Sequence, residues 1–511
     1  MNLARIRIVI SLFIFTLFFF LFCGPGKIST LLSSTLLPFQ FVPALIGILT
    51  NPEIIAVAGF VFIIAATLIF GRVYCSFLCP LGTLQDIFIA LSRKIGWRKK
   101  HSFQKPLNLL RYFVLGLVIV TATLGSMSLL NLFDPYSITG RIITQFVLPF
   151  FTGIYNTVVS VLKYFNIYLF SKDTVPFIFT VLIINTFFFI LILILSLKYG
   201  RLYCNTFCPV GALLGLLSCK SFFKFTIDPA GCNVCLSCAG VCKAGCIDAE
   251  KAAIDQNRCI GCFNCVSACP LSVISYRRSA WKREGEAWSP ERRGVMIGSI
   301  AAAGYVLSMY HSGIRNLLRT AHASAGPPIT PPGSVSLEHF TQSCSACHLC
   351  VSACPTKVIT PSLLEYGIGG LLQPRMNYPD SFCEYECIVC GRVCPTGAIL
   401  PLSVEEKKIT QIGKVDLLKD KCVVYINHQN CGACVEVCPT KTITFIDKDN
   451  VLYPVVDNRY CVGCGACSKA CPTDPKSIVV SPNPVHKKAV KTRVHDTPVR
   501  QKNAVPEEFP F

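Results

Sequence analysis

"CNVCLSCAGVCKAGCIDAEKAAIDQNRCIGCFNCVSACP", residues 232–270, repeats the spacing CxxCxxCxxxC twice in tandem. Cysteines at these intervals are the ligand set of a 4Fe-4S cubane. The short loop cannot wrap a whole cubane, so three close cysteines hold one cluster and the fourth ligates the other. Cluster one then takes Cys232, Cys235, Cys238 and Cys269, and cluster two takes Cys259, Cys262, Cys265 and Cys242. An extra thiol, Cys246, stands at the alanine place of a CPxxAI ending, with Ile247 matching the isoleucine, and is read as structural.

Four further units come later in the chain, and each ends in CPT. They are Cys344, Cys347, Cys350 and Cys354; Cys383, Cys387, Cys390 and Cys394; Cys422, Cys431, Cys434 and Cys438; and Cys461, Cys464, Cys467 and Cys471. If Cys422 is not a ligand, its site suits a three-iron cluster. The units exchange cysteines with sequence neighbours or in a nested order, and both patterns use the same sixteen thiols. With the tandem pair, the expectation is six 4Fe-4S clusters. The first of the four units, "CSACHLCVSACP" (344–355), also contains the haem c motif CxxCH. A haem would leave Cys350 and Cys354 idle, and the sister units lack the histidine, so no haem is expected and His348 is read as a cluster neighbour. Haem b is equally disfavoured, because the first four apolar spans contain no histidine and His311 lies at the end of a fifth.

The surrounding chain is membrane-like. Of 511 residues, 52% are hydrophobic and 15% charged, and 31 cysteines are too many for a small secreted disulfide scaffold. Apolar runs cover Ile6 to Phe22, Ile54 to Phe70, Leu107 to Leu124, Val175 to Leu197 and Gly294 to Ile314. The first is taken as a retained helix rather than a signal peptide, since no small-residue cleavage site comes after it. Basic loops remain in the cytoplasm. The stretch 92–105 and Arg277 to Arg293 are therefore expected inside, and the fifth span exports the chain beyond residue 315. Much of the net charge of +20 is then a topology signal, and no nucleic-acid partner is implied.

"GRVYCSFLCPLG" (71–82) and "GRLYCNTFCPVG" (200–211) agree at seven of twelve positions. Cys75 and Cys79, like Cys204 and Cys208, lie four apart and are expected on one helical face just before a proline that ends or kinks the helix. Three readings stay open for them: inert packing, a docking surface, or four thiolates holding a further redox centre.

The paired GRxYCxxxCP motifs with a two-cluster ferredoxin after them resemble the NapH-type polyferredoxins, and more loosely the NosR and RdxA membrane ferredoxins. The second half resembles a NapG-type four-cluster subunit. There "ERRGVMIGSIAAAGYVL" resembles a twin-arginine signal through Arg292 and Arg293. The resemblance implies a quinol dehydrogenase component that draws on membrane quinol and supplies a periplasmic reductase or cytochrome. An assembly factor reducing a metal or cofactor of a periplasmic enzyme, and a redox sensor, are the alternatives. Asp134 and Arg141 in "NLFDPYSITGR" are read as ordinary interface residues at the outer face, with quinol binding as the other option.

The expected fold is an α-helical membrane bundle of about five transmembrane helices with α+β bacterial-type ferredoxin modules. Its parts are a four-helix membrane domain (1–225), a cytoplasmic two-cluster module (226–280), a basic linker with the fifth helix (281–320), a periplasmic four-cluster module (321–481) and a disordered basic tail (482–511). The expected location is a bacterial inner membrane, crossed several times.

Overall fold

A computed structural model describes residues 3–24, 26–96, 101–174, 176, 178–278 and 327–491. The chain divides into two compact units, Met1–Asn377 with Ile388–Leu402, and Tyr378–Cys387 with Ser403–Phe511.

Among the described residues of the first unit, three helices are long and apolar enough to cross a bilayer: Leu3–Cys23, Pro135–Tyr164 and Phe179–Tyr199. A fourth is reached if Gly26–Phe39 and Phe41–Thr50, bent by 94°, count as one span. Ile54–Phe70 and Asn108–Thr123 are also helices, but shorter, with 17 and 16 residues. Large apolar side chains such as Ile54, Phe150 and Phe187 face outward, as lipid-facing residues do. The helix Pro135–Tyr164 escapes the hydropathy reading because Arg141, Gln145 and several Ser and Thr residues dilute its first half. Those residues point inward and are buried or half-buried. The expected span 294–314 and the pair Arg292–Arg293 lie outside the described residues.

The duplicated motif has the same backbone shape in both copies. Ile54–Phe70 and Phe179–Tyr199 each stop at a glycine of positive φ, Gly71 at 80° and Gly200 at 76°. Only glycine enters such a conformation without a Cβ clash. A short helical turn comes next, Tyr74–Phe77 or Leu202–Thr206. Cys79 and Cys208 then stand extended as N-caps, and Pro80 and Pro209 open the next helices, Pro80–Ile95 and Pro209–Ser218. The expectation that each cysteine pair shares one helical face is thereby corrected. Proline at the first helical position starts a helix rather than ending one, so the helix breaks between the two thiols.

The cysteine-rich segments are built from short helices and two-stranded antiparallel sheets. Phe223–Ile227 pairs with Ile274–Arg278, and Ile247–Asp248 with Ala253–Ile254. Ile359–Pro361 pairs with Pro374–Met376.

In the second unit, Ile443–Lys448 and Val451–Val456 form a hairpin, and Thr410–Leu417 pairs with Ile478–Lys488. Residues 482–488 were expected to begin a disordered tail. They complete this strand instead, because Pro482 sits beside a register shift where a missing N–H is tolerated. The tail from 492 onward lies outside the described residues.

Candidate iron–sulfur sites

In most of the units, the residue after the second close cysteine is left-handed. Leu236, Phe263, His348 and Gly465 occupy this place with φ of 57°, 60°, 62° and 81°. Each then caps a five-residue helix that carries the third cysteine. The turn swings the second and third thiols toward a common point. His348 therefore fills a backbone position that leucine, phenylalanine or glycine fills elsewhere. It is buried, and its Nε2 lies 2.8 Å from the Leu372 carbonyl oxygen. Burial, partly opposed by the Leu372 contact and aided by Arg141, brings its imidazole down to about 3, so the ring is neutral.

The thiols gather in sets. Cys232, Cys235, Cys238 and Cys269 line one cavity with Ile227, Val273 and other apolar groups. Cys242, Cys259, Cys262 and Cys265 line a second, and Cys246 lines it too, its Sγ 3.6 Å from that of Cys242. The second site thus has five thiols. Cys344, Cys347, Cys350 and Cys394 lie within electrostatic reach of one another. In the second unit, Cys422, Cys431, Cys434 and Cys471 line a cavity, and Cys438 lies within reach of Cys461, Cys464 and Cys467. The fourth thiol in each of these sets comes from the neighbouring unit in sequence. Cys354 and Cys390 belong to the first compact unit, and Cys383 and Cys387 to the second, where the Cys383 N–H donates to the Cys464 carbonyl (2.8 Å).

Among the described residues, no three Cys, His, Asp or Glu side chains close around a single metal-ion position. The thiols surround apolar cavities instead. That donor set, four soft thiolates around a dry space, fits a cubane better than one ion.

The membrane repeat forms a third kind of cluster. Cys75, Cys79, Cys204 and Cys208 are all buried in one core, and each lies within electrostatic reach of the other three. The two arginines of the repeat cross over. Arg72 Nη2 donates to the Cys204 carbonyl (3.2 Å), and Arg201 Nη1 donates to the Cys75 carbonyl. Gly82 and Gly211 make room: a methyl group on either would collide with its own motif's cysteine carbonyl and touch the arginine of the other copy.

Beside this site Asp86 binds three cations at once. Arg7 and Lys243 reach its Oδ2 at 2.7 and 2.9 Å, and Arg201 reaches its Oδ1 at 2.9 Å. Sequence reading missed this hub, although an arginine within the first apolar run is its signal. Asp134 and Arg141 are not at an exposed interface as expected; both are 1% exposed. Asp134 caps the helix at Pro135 by accepting from the Ser137 N–H (2.8 Å) and Oγ (2.7 Å). Arg141 donates to Asn185 Oδ1 (3.0 Å) and to the Ala346 carbonyl (3.3 Å).

Apolar spans joined to gathered thiols define a membrane-associated iron–sulfur electron-transfer protein. Comparison with known proteins agrees. Residues 53–98 and 181–226 each match a family described as "4Fe-4S binding domain", 251–276 match another of that description, and 421–474 match a "4Fe-4S dicluster domain". The chain is similar to the methylamine utilization ferredoxin-type protein MauM of Methylophilus methylotrophus, 31% identical over 194 residues, 35% of this chain and 80% of that one. It is also similar to the ferredoxin-type protein NapG of Escherichia coli (30% identical; 28% of this chain, 58% of that one) and to NapH of Haemophilus influenzae (25%; 37% of this chain, 54% of that one). No solved structure matches. The chain belongs to the family of ferredoxin-type proteins that includes MauM, NapG and NapH.

Proposed function

We propose that this protein oxidises quinol in the membrane and passes the electrons through six 4Fe-4S clusters to a periplasmic acceptor, without haem. The ligands are the twenty-four ferredoxin-type cysteines, from Cys232, Cys235, Cys238 and Cys242 through Cys461, Cys464, Cys467 and Cys471. Bound there, the clusters supply one-electron exchange at thiolate-held iron. Quinol yields two electrons and two protons on becoming quinone, so it must be tapped in two single steps.

One observation carries the reading. The apolar helix Leu3–Cys23 touches both cysteine-rich regions of the first unit. Near its start, Arg7 shares Asp86 with Lys243, the neighbour of Cys242. Near its end, Phe18 and Phe22 pack in one core with Cys347. The sixteen residues from Arg7 to Phe22 span about 22 Å. That is most of a bilayer's apolar thickness, which supports opposite faces for the two regions.

Added quinol is expected to bleach the broad absorption near 400 nm in purified membranes. A tag after Phe511 is expected to report from the periplasm and one near Lys99 from the cytoplasm. Clusters that quinol leaves oxidised would remove the quinol step.

A further inference from the structure

The two matches to a 4Fe-4S binding domain in the membrane region each bring only two cysteines of the duplicated motif. We propose that Cys75, Cys79, Cys204 and Cys208 together hold a single further iron–sulfur cluster, which relays electrons between the two cysteine-rich regions of the first unit. This deepens the electron-carrier reading above and rests on it for the direction of flow.

Charge points to an anionic group at these thiols. Arg72, Arg111 and Arg201 are each at most 1% exposed. Arg201 shares Asp86 with two other cations, while Arg72 and Arg111 donate to carbonyls and an amide rather than to carboxylates. A buried guanidinium without an anion is costly, unless an anion completes its surroundings. Several donors nearby are buried with no acceptor: Arg72 Nε, Arg201 Nη2, Arg111 Nη1 and Gln85 Nε2. The Gln85 side chain already meets Cys204, whose Sγ lies 2.8 Å from Oε1. Turning that amide over would aim its N–H at the sulfur. Arg72 Nη2 is 3.7 Å from the Cys75 Sγ. Four thiolates on iron and sulfide make an anionic centre in both redox states, and reduction adds one more negative charge. Buried cations therefore favour the reduced form.

Number points the same way. Two pairs of buried thiols in one core supply four soft ligands, the count that a cubane takes, as in the ferredoxin-type sets.

The four thiols are also linked to both cysteine-rich regions. Equivalent residues of the two motif copies, Ser76 and Asn205, touch the loops of the second ferredoxin-type site. Ser76 Oγ donates to the Gly261 carbonyl (3.4 Å), and Asn205 Nδ2 to that of Ala244 (3.1 Å). On the other side, Tyr203 Oη donates to the Phe133 carbonyl (2.9 Å), at the entry to Pro135–Ile142. That helix ends against the other region, with Gly140 packed on the Cys347 carbonyl and Arg141 bonded to that of Ala346. The thiols thus stand between the two sets. Tunnelling falls steeply with distance, so a centre between the two sets would shorten each electron step. Each transit moves one electron, with no bond made or broken and no proton transferred.

The test uses the full-length protein in detergent. Cys79→Ser and Cys208→Ser should each lower iron and acid-labile sulfide by one cluster's worth, about two to four iron atoms per chain. Reduction of one ferredoxin-type region should then no longer spread to the other. Arg72→Gln keeps every thiol and should keep the iron, while lowering the midpoint potential of one electron paramagnetic signal. Iron unchanged in both serine variants would overturn the proposal, as would a zinc atom lost in place of iron. If the serine variants fail to fold, the arginine variant decides: a shifted signal supports the centre, and unshifted signals overturn it. Iron lost as stated while quinol reduces nothing would leave this centre standing and remove only the quinol step.

Discussion

The ferredoxin-type segments and the membrane repeat both gather four thiols, but by opposite means. In the former, three thiols of a set lie within seven residues in most units, and a left-handed residue turns the chain between the second and third. The site is local, so almost any core that tolerates the turn can carry it. In the membrane repeat, the two pairs come from segments more than a hundred residues apart and meet only when Arg72 and Arg201 have crossed. The first kind of site is written in spacing, and the second in tertiary packing. Damage to the fold should therefore empty the second kind first.

Asp86→Asn gives the largest contrast. It leaves Arg7, Arg201 and Lys243 without their shared carboxylate in a site only 12% exposed on the acid's side chain. A loss of about 3–5 kcal/mol is expected, as for other buried pairs with one partner removed. Thermal unfolding in detergent measures it. The exposed pair of Lys251 with Asp248 at 3.9 Å is the control, and Asp248→Asn should change little. An equal effect of both substitutions would erase the distinction between the regions.

Gly82→Ala and Gly211→Ala come next. Each methyl group would press on a cysteine carbonyl, which as backbone cannot swing aside. A cost of about 1–3 kcal/mol is expected from overpacking, read as a lower unfolding midpoint. Similar losses at the two positions would sharpen the case for equivalent copies, and a loss at only one would break it.

Smaller effects belong to the local sites. At His348, Asn should be tolerated because it accepts the left-handed region, whereas Val should cost about 1–2 kcal/mol. Iron should persist in the Asn variant, and a haem absorption band lost on substitution would reverse the reading of this motif. Least of all, Cys246→Ser should leave iron content unchanged if Cys242 is the ligand at the five-thiol cavity. Lost iron would transfer that role to Cys246.

How far the sequence could be read obeys the same division. Ligand spacing is a property of a few adjacent residues, so the thiol sets of 232–269 could be written down in advance. Interleaving there was expected from the short loop, whereas the order of exchange among the last four units could not be read from spacing at all. The Asp86 hub was not legible, since its partners lie up to 157 residues away from it and no local pattern links them. The helix Pro135–Tyr164 was hidden by polar groups that its neighbours satisfy, as Asn185 does for Arg141. The strand Ile478–Lys488 was hidden by its lysines and prolines, because its partner lies more than sixty residues upstream.

The crossed arginines carry a consequence for ancestry. Residue i of one copy meets residue j of the other while the reverse contact is also made, which is the signature of a two-fold interface. A lone copy of the motif would lose the carbonyl that its arginine meets across the repeat, and meeting a twin would restore it. The membrane half of this chain thus has the logic of a symmetric dimer whose subunits were joined end to end, after which each copy was free to diverge. Ser76 facing one loop of the neighbouring site and Asn205 facing another are the marks of that divergence.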